Sequence, residues 1–202
     1  KSKERTDDGS FITNQKIETI FYNLEKLTKD ITKKAGVEFS FGLNFNSKKI
    51  FNKGLYKLGN ENLIERDFLE YVKKLVNKFD IDYVEDPLDN IESAGSIKTD
   101  YVSGNRFFNS NLENIKKYAK YFNCAVIKLN EVGSLKNLKK IVDFCKNNDI
   151  FLVLGQSLGE TSETAVSELA VGFEFDFVKF GLNSRERILK LNELKKIEDK
   201  IM

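Results

Sequence analysis

The sequence predicts an α/β fold built on a parallel sheet, and three observations carry that reading. Strand-like and helix-like segments alternate along the 202 residues. The strand-like runs are short, and each is followed by a helical pattern. The links between elements are only a few residues long. Alternation of this kind implies right-handed βαβ crossovers. It fits a doubly wound sheet or part of a (β/α)8 barrel. In either architecture, polar residues at the C-terminal ends of the strands converge on one face, where sites form.

The first helix is read over residues 14–34, where Ile17, Ile20, Phe21, Leu24 and Leu27 recur at helical spacing. A strand follows at 37–45 (VEFSFGLNF), then a hairpin-like stretch, NKGLYKL, and a helix over 65–78. The run IDYVED at 81–86 reads as a strand ending at Pro87, with a shorter strand, DYVSG, at 100–104. Three further pairs complete the alternation: helix 110–122 with strand 124–129, helix 134–147 with strand 150–154, and helix 162–172 with strand 176–181. A last helix covers 184–201. The polar residues at the six strand ends are Asn44 and Asn46, Glu85 and Asp86, Asn105 and Arg106, Lys128 and Asn130, Gln156 and Ser157, and Lys179. No glycine-rich phosphate loop of the Walker or dinucleotide type is present, and no internal repeat beyond the βα period is found.

Composition narrows the chemistry. The chain holds no histidine, which removes imidazole acid–base catalysis, Ser-His and Cys-His nucleophile pairs, and the commonest zinc ligand. Chemistry here has to run on carboxylates, lysines or a metal with oxygen ligands. Lys+Arg 33 against Asp+Glu 31 leaves a net charge of +2, so no strong field favours nucleic acid or a membrane surface. No run approaches the roughly 18 apolar residues that span a bilayer. The two cysteines, Cys124 and Cys145, lack metal-ligand spacing and read as reduced core thiols of a cytoplasmic protein. The chain is expected to form a single domain over 1–202. It begins with lysine rather than methionine, which reads as a processed or incomplete product.

The run AVIKLNEVGSL at 125–135 puts Lys128 directly after an apolar strand. Lysine is among the residues least often buried without a partner. Lys128 is either the first solvated residue of a loop or part of a site at the strand end.

Longer motifs bear on that choice. YVEDPL, IKLNEVGSL, GETSETAVSELAVGFEFDFVKFG and RILKLNELKKIEDKI resemble, in order and spacing, the C-terminal barrel of the enolase (phosphopyruvate hydratase) family. The corresponding family runs are Ile-Glu-Asp-Pro, Ile-Lys-x-Asn-Gln-Ile-Gly-Thr, Ser-Gly-Glu-Thr, Asp-Leu-Ala-Val, Ile-Lys-Thr-Gly and a closing Lys-x-Asn-Gln-Leu-x-x-Ile-Glu-Glu helix. Nearer the start, TDDGSF resembles the family's Gly-Asp-Glu-Gly-Gly-Phe loop, and FGLNFNSKKIF its Ala-Leu-Asp-x-Ala-Ser-x-Phe strand. The resemblance implies an enolase-type TIM-like (β/α) barrel with about six βα units. On that resemblance, the family's N-terminal domain and first barrel strands are expected to be absent from this chain. Six strands cannot close an eight-stranded barrel, and open strand edges invite pairing. A second copy, or another protein chain completing the barrel, is therefore the expected partner.

The resemblance also implies roles. The family abstracts a proton beside a carboxylate and expels hydroxide, with two Mg²⁺ ions stabilising the enolate. Lys128 falls at the position of the base, Lys179 at that of the second active-site lysine, and Asp8 at that of the glutamate acting as general acid. The family's principal Mg²⁺ is held by Asp, Glu and Asp, where this chain has Asn44, Glu85 and Asn105. Two anionic ligands have become neutral amides, which weakens a site for a hard divalent ion. The family's following Asp is Arg106 here. The Ser-His-Arg-Ser loop has become Gly155, Gln156, Ser157 and Leu158, losing the phosphate-binding arginine. Two expectations follow. One is an enolase-like pseudoenzyme with impaired or absent hydratase activity, acting as a binding or assembly partner and holding no metal. The other is an active Mg²⁺-dependent enzyme of glycolysis that converts 2-phosphoglycerate to phosphoenolpyruvate, or a lyase relative with a changed substrate. On that second expectation the ligand is a small phosphorylated acid.

Overall fold

The computed structural model describes residues 4–6, 10–157 and 159–201. They group into two compact units, one over Thr13–Ser103 and one over Gly104–Met202 together with Lys1–Ile12.

The first unit opens with α1 (Ile17–Ala35), which stops where Gly36 takes a left-handed conformation (φ 68°) and donates its N–H to the Thr32 carbonyl. Next come β1 (Phe41–Asn44), a 3-10 turn (Ser47–Lys49), and an antiparallel meander of β2 (Phe51–Asn52), β3 (Leu55–Leu58) and β4 (Glu61–Ile64). Then follow α2 (Glu65–Phe79), β5 (Ile81–Glu85), α3 (Ile91–Ala94) and β6 (Tyr101–Ser103). Strand β5 pairs in parallel with β1 and with β6. Helix α2 follows its apolar period: Phe68, Val72, Leu75, Val76 and Phe79 fall on one face, and all are buried. Phe21 stacks on Phe79 at 4.7 Å and Tyr56 on Phe68 at 4.3 Å. The Tyr56 hydroxyl accepts the Asp89 N–H at 2.8 Å.

The second unit holds α4 (Asn105–Phe108), α5 (Leu112–Tyr118), β7 (Cys124–Lys128), α6 (Leu129–Val132), α7 (Leu135–Asn147), β8 (Phe151–Gly155), α8 (Ala165–Gly172), β9 (Phe177–Lys179) and α9 (Arg185–Ile201). Strand β8 pairs in parallel with β7 and with β9. Cys124, Ala125, Val126 and Ile127 are all buried, as a strand covered on both faces requires. Leu138, Ile141, Val142 and Cys145 of α7 are buried as well. Among the described residues no helix is long and apolar enough to cross a membrane.

Six parallel strands, three in each unit, are each followed by a helix or helical turn, as the alternation predicts. Several boundaries differ. The strand expected over 37–45 is only Phe41–Asn44, leaving Val37 and Phe39 exposed outside it. The hairpin gains a third strand, β4. The helix expected over 110–122 is the shorter α5, and an unexpected turn, α4, precedes it; between them Asn109 and Ser110 both adopt left-handed φ values (46° and 48°) that no helix can continue through. An unexpected helical turn, α6, follows β7 and ends at Gly133, also left-handed.

Candidate functional site

Every described candidate stands at or just past the C-terminal end of a parallel strand. In the first unit, Asn44 ends β1 and Glu85 ends β5, directly opposite each other in the strand register. Glu85 is fully buried. Its two carboxyl oxygens are both engaged: Oε1 accepts the Asn44 Nδ2–H at 2.9 Å, and Oε2 accepts the Tyr83 hydroxyl at 2.6 Å. Asn44 Oδ1 accepts the Asn46 N–H at 2.9 Å, which fixes the amide so that its donor faces Glu85. An aspartate at position 44 would set two carboxylates against each other and require a cation between them. The asparagine removes that requirement, because it supplies a donor where the cation would lie. Asn105 begins α4 in the other unit.

The residues at the ends of β1 and β5 thus do not fit a divalent ion. Among the described residues, no group of three or more His, Cys, Asp or Glu side chains converges. Arg106 lies with its guanidinium 4.5 Å from the Phe107 ring centroid.

In the second unit the two lysines are level. Lys128 on β7 pairs in register with Gly155 on β8, and Gly155 with Lys179 on β9. Residues in register share a sheet face, and strands lie about 4.8 Å apart, so the two lysine stems stand roughly 10 Å apart with only a glycine between. A Cβ at Gly155 would come within 2.9 Å of Val126 Cγ1, which accounts for the glycine.

Lys128 does not project freely. Its Nζ donates to Glu131 Oε1 at 3.1 Å, one helical turn on in α6. Ser110 closes the arrangement: its Oγ accepts the Lys128 N–H at 2.9 Å and donates to Glu131 Oε2 at 2.7 Å. Beside these groups lies a cavity of about 510 Å³, walled in part by Lys128, Asn130, Glu131, Ser157, Glu160 and Lys190. Ser157 Oγ donates to Asn130 Oδ1 at 2.5 Å. Gln156 Oε1 accepts the Gly181 N–H at 3.1 Å, while its buried Nε2 has no hydrogen-bond partner among the described residues. Lys190 is buried, and its ammonium donates to Thr161 O (2.8 Å), Glu186 O (3.1 Å) and Glu160 Oε2 (2.9 Å). Glu160 Oε1 in turn accepts the Ser157 N–H at 2.6 Å. Asp8 and Leu158 lie outside the described residues.

Sequence reasoning passed over Tyr83, Ser110, Glu131, Glu160 and Lys190. A signal existed for three of them. Glu131 stands where the resembling family run has glutamine, Glu160 is the glutamate of the Ser-Gly-Glu-Thr run, and Lys190 is the lysine of the closing Lys-x-Asn run.

Parallel βα units with polar side chains gathered at their strand ends define the α/β-barrel class of fold. The family model described as "Enolase, C-terminal TIM barrel domain" matches residues 4–202. The chain belongs to the enolase family, within this C-terminal barrel region. It is 27% identical over 201 residues to an enolase of Natronomonas pharaonis, covering 95% of this chain and 50% of that protein. An enolase of Archaeoglobus fulgidus is 28% identical over 200 residues, with 96% and 50% covered. One from Metallosphaera sedula is 29% identical over 187 residues, with 86% and 45% covered. The chain spans about half the length of the relatives it matches.

Proposed function

We propose that this chain is an enolase-family pseudoenzyme of the cytoplasm, with impaired or no phosphopyruvate hydratase activity, that works as a binding or assembly partner. The observation that carries this reading is the Asn44–Glu85–Tyr83 network, in which both oxygens of the one remaining acidic position already accept hydrogen bonds. An enolate without cations beside it loses electrostatic stabilisation, which usually contributes more than any other effect in such catalysis. The partner role draws support from the first unit. Leu24, Leu27 and Ile31 form an exposed apolar stripe on α1, and Val37 and Phe39 are exposed just before β1. Among the described residues, strand β1 itself has one strand neighbour, β5. Exposed apolar surface beside an open strand edge recruits another chain or a second copy.

A second reading is favoured by the level pair Lys128 and Lys179 across Gly155. On that reading the chain takes a small phosphorylated acid, Lys128 serves as base, and Lys179 contacts the substrate. Asp8 would protonate the leaving hydroxyl, and Gln156, Ser157 and Leu158 would line the phosphate end. Calorimetric titration with Mg²⁺, with and without 2-phosphoglycerate, separates the two. The pseudoenzyme reading expects no binding below the millimolar range. Tight binding that strengthens with substrate would overturn it in favour of the second.

A further inference from the structure

The ring formed by Lys128, Glu131 and Ser110 is a built feature rather than a surface ion pair. Only 24% of each side chain of the pair is exposed, and Ser110 is 3% exposed. The hydroxyl is presented by two successive non-glycine residues, Asn109 and Ser110, in left-handed backbone conformations. Such conformations persist only where surrounding structure over-determines them. The hydroxyl both accepts from the Lys128 backbone and donates to Glu131, so the strained turn fixes the carboxylate that meets the Lys128 ammonium.

The charges around the 510 Å³ cavity give this ring a consequence. Its wall carries two lysines, Lys128 and Lys190, and three glutamates, Glu131, Glu160 and Glu163. Lys190 directs its three N–H donors to Thr161, Glu186 and Glu160. Lys128 is then the cationic group of this wall left to meet a ligand, and Glu131 already faces it. With Glu160 matched by Lys190 and Glu131 by Lys128, the wall charge left unmatched among the described residues is that of Glu163. An incoming anion would have to displace one carboxylate and approach another.

We infer that Glu131 is a specificity-determining, positioning residue. Its carboxylate, held by Ser110, occupies Lys128 in place of an anionic ligand, and so keeps small phosphorylated acids out of this cavity. The inference deepens the pseudoenzyme reading and rests on it.

The test uses the full chain in metal-free buffer with a chelator, at low ionic strength, titrated calorimetrically with inorganic phosphate and then with 2-phosphoglycerate. Glu131→Gln keeps the shape and can still accept from Ser110, but removes the charge. It should bind phosphate about tenfold tighter than the parent, the size of a change of about 1.4 kcal/mol. Glu131→Asp keeps the charge and should stay within about threefold of the parent, well short of that tenfold step. Adding Lys128→Gln to Glu131→Gln should abolish the gain. If Glu131→Gln does not fold, Glu131→Ala, which leaves the Ser110 hydroxyl to accept the Lys128 N–H, should show the same gain. The inference is overturned if the parent already binds phosphate as tightly as Glu131→Gln, if neutralising Glu131 changes nothing, or if the gain survives loss of Lys128. Its failure is separable from that of the pseudoenzyme reading, which turns on Mg²⁺ binding and turnover by the unmodified chain.

Discussion

The Lys190 ammonium, buried in α9, meets the Glu160 carboxylate at 2.9 Å and ties the loop after β8 to the last helix of the chain. The same carboxylate holds the Ser157 N–H, and the same ammonium holds two backbone carbonyls. Removing one member of a buried pair strands the other, which typically costs about 3–5 kcal/mol. Lys190→Met should therefore lower unfolding stability in urea by about that amount. A loss under about 1 kcal/mol, the worth of an exposed pair, would show that the contact does not hold this loop.

The two thiols should be silent in the folded state. Burial pushes the Cys145 thiol up to about 12, and Asp176 nearby adds to the rise. The thiolate is the reactive form, so alkylation of native protein near neutral pH should be far slower than in denaturant. The sign for stability follows. A native thiol that keeps its proton above the ordinary thiol range contributes stability that is full below that range and falls as pH rises toward about 12. Prompt labelling of Cys145 in native protein would contradict its burial.

Asn44→Asp tests the network around Glu85. The substitution removes the Nδ2 donor and sets a second carboxylate beside a buried one. Thermal melts should show a loss of about 1–3 kcal/mol, the cost of an unmatched buried polar group, and Mg²⁺ should restore part of it. If Mg²⁺ does not shift the melt, the ends of β1 and β5 are not the remnant of a metal site.

The exposed stripe on α1 should be sticky. Size-exclusion chromatography with light scattering should find the 23.3 kDa chain self-associated or carrying a companion protein. Leu27→Glu, at a residue already 57% exposed, should reduce association without lowering the melting temperature. A clean monomer with a cooperative melt would remove the support for an assembly role.

Much of the fold was legible because apolar period and burial coincide. Helix α2 buries the face its period marks, and the run before Lys128 is buried residue by residue. What escaped was set by single backbone choices. Asn109 and Ser110 turn left-handed, so the expected helix starts only at Leu112 and a separate turn precedes it; asparagine tolerates that conformation, but nothing in the run demands it. Strand β4 (ENLI) is short and mostly exposed, with two polar residues followed by two apolar ones, so it carried no alternation to read. At the site, Lys128 was legible as a residue out of place at a strand end. Its counter-ion was not, because Glu131 reaches it only through the short turn α6. Likewise, Asn44 and Glu85 were nameable through family resemblance. The direction in which the amide points, donor toward the carboxyl, depends on where the Asn46 N–H lies, and no sequence pattern marks that.

The decisive measurement is turnover. Purified chain with Mg²⁺ and 2-phosphoglycerate, followed for phosphoenolpyruvate, should give no conversion above the uncatalysed background. A rate above about 1 s⁻¹, the low end for ordinary enzymes, would contradict the pseudoenzyme reading and return Lys128 to the role of a working base.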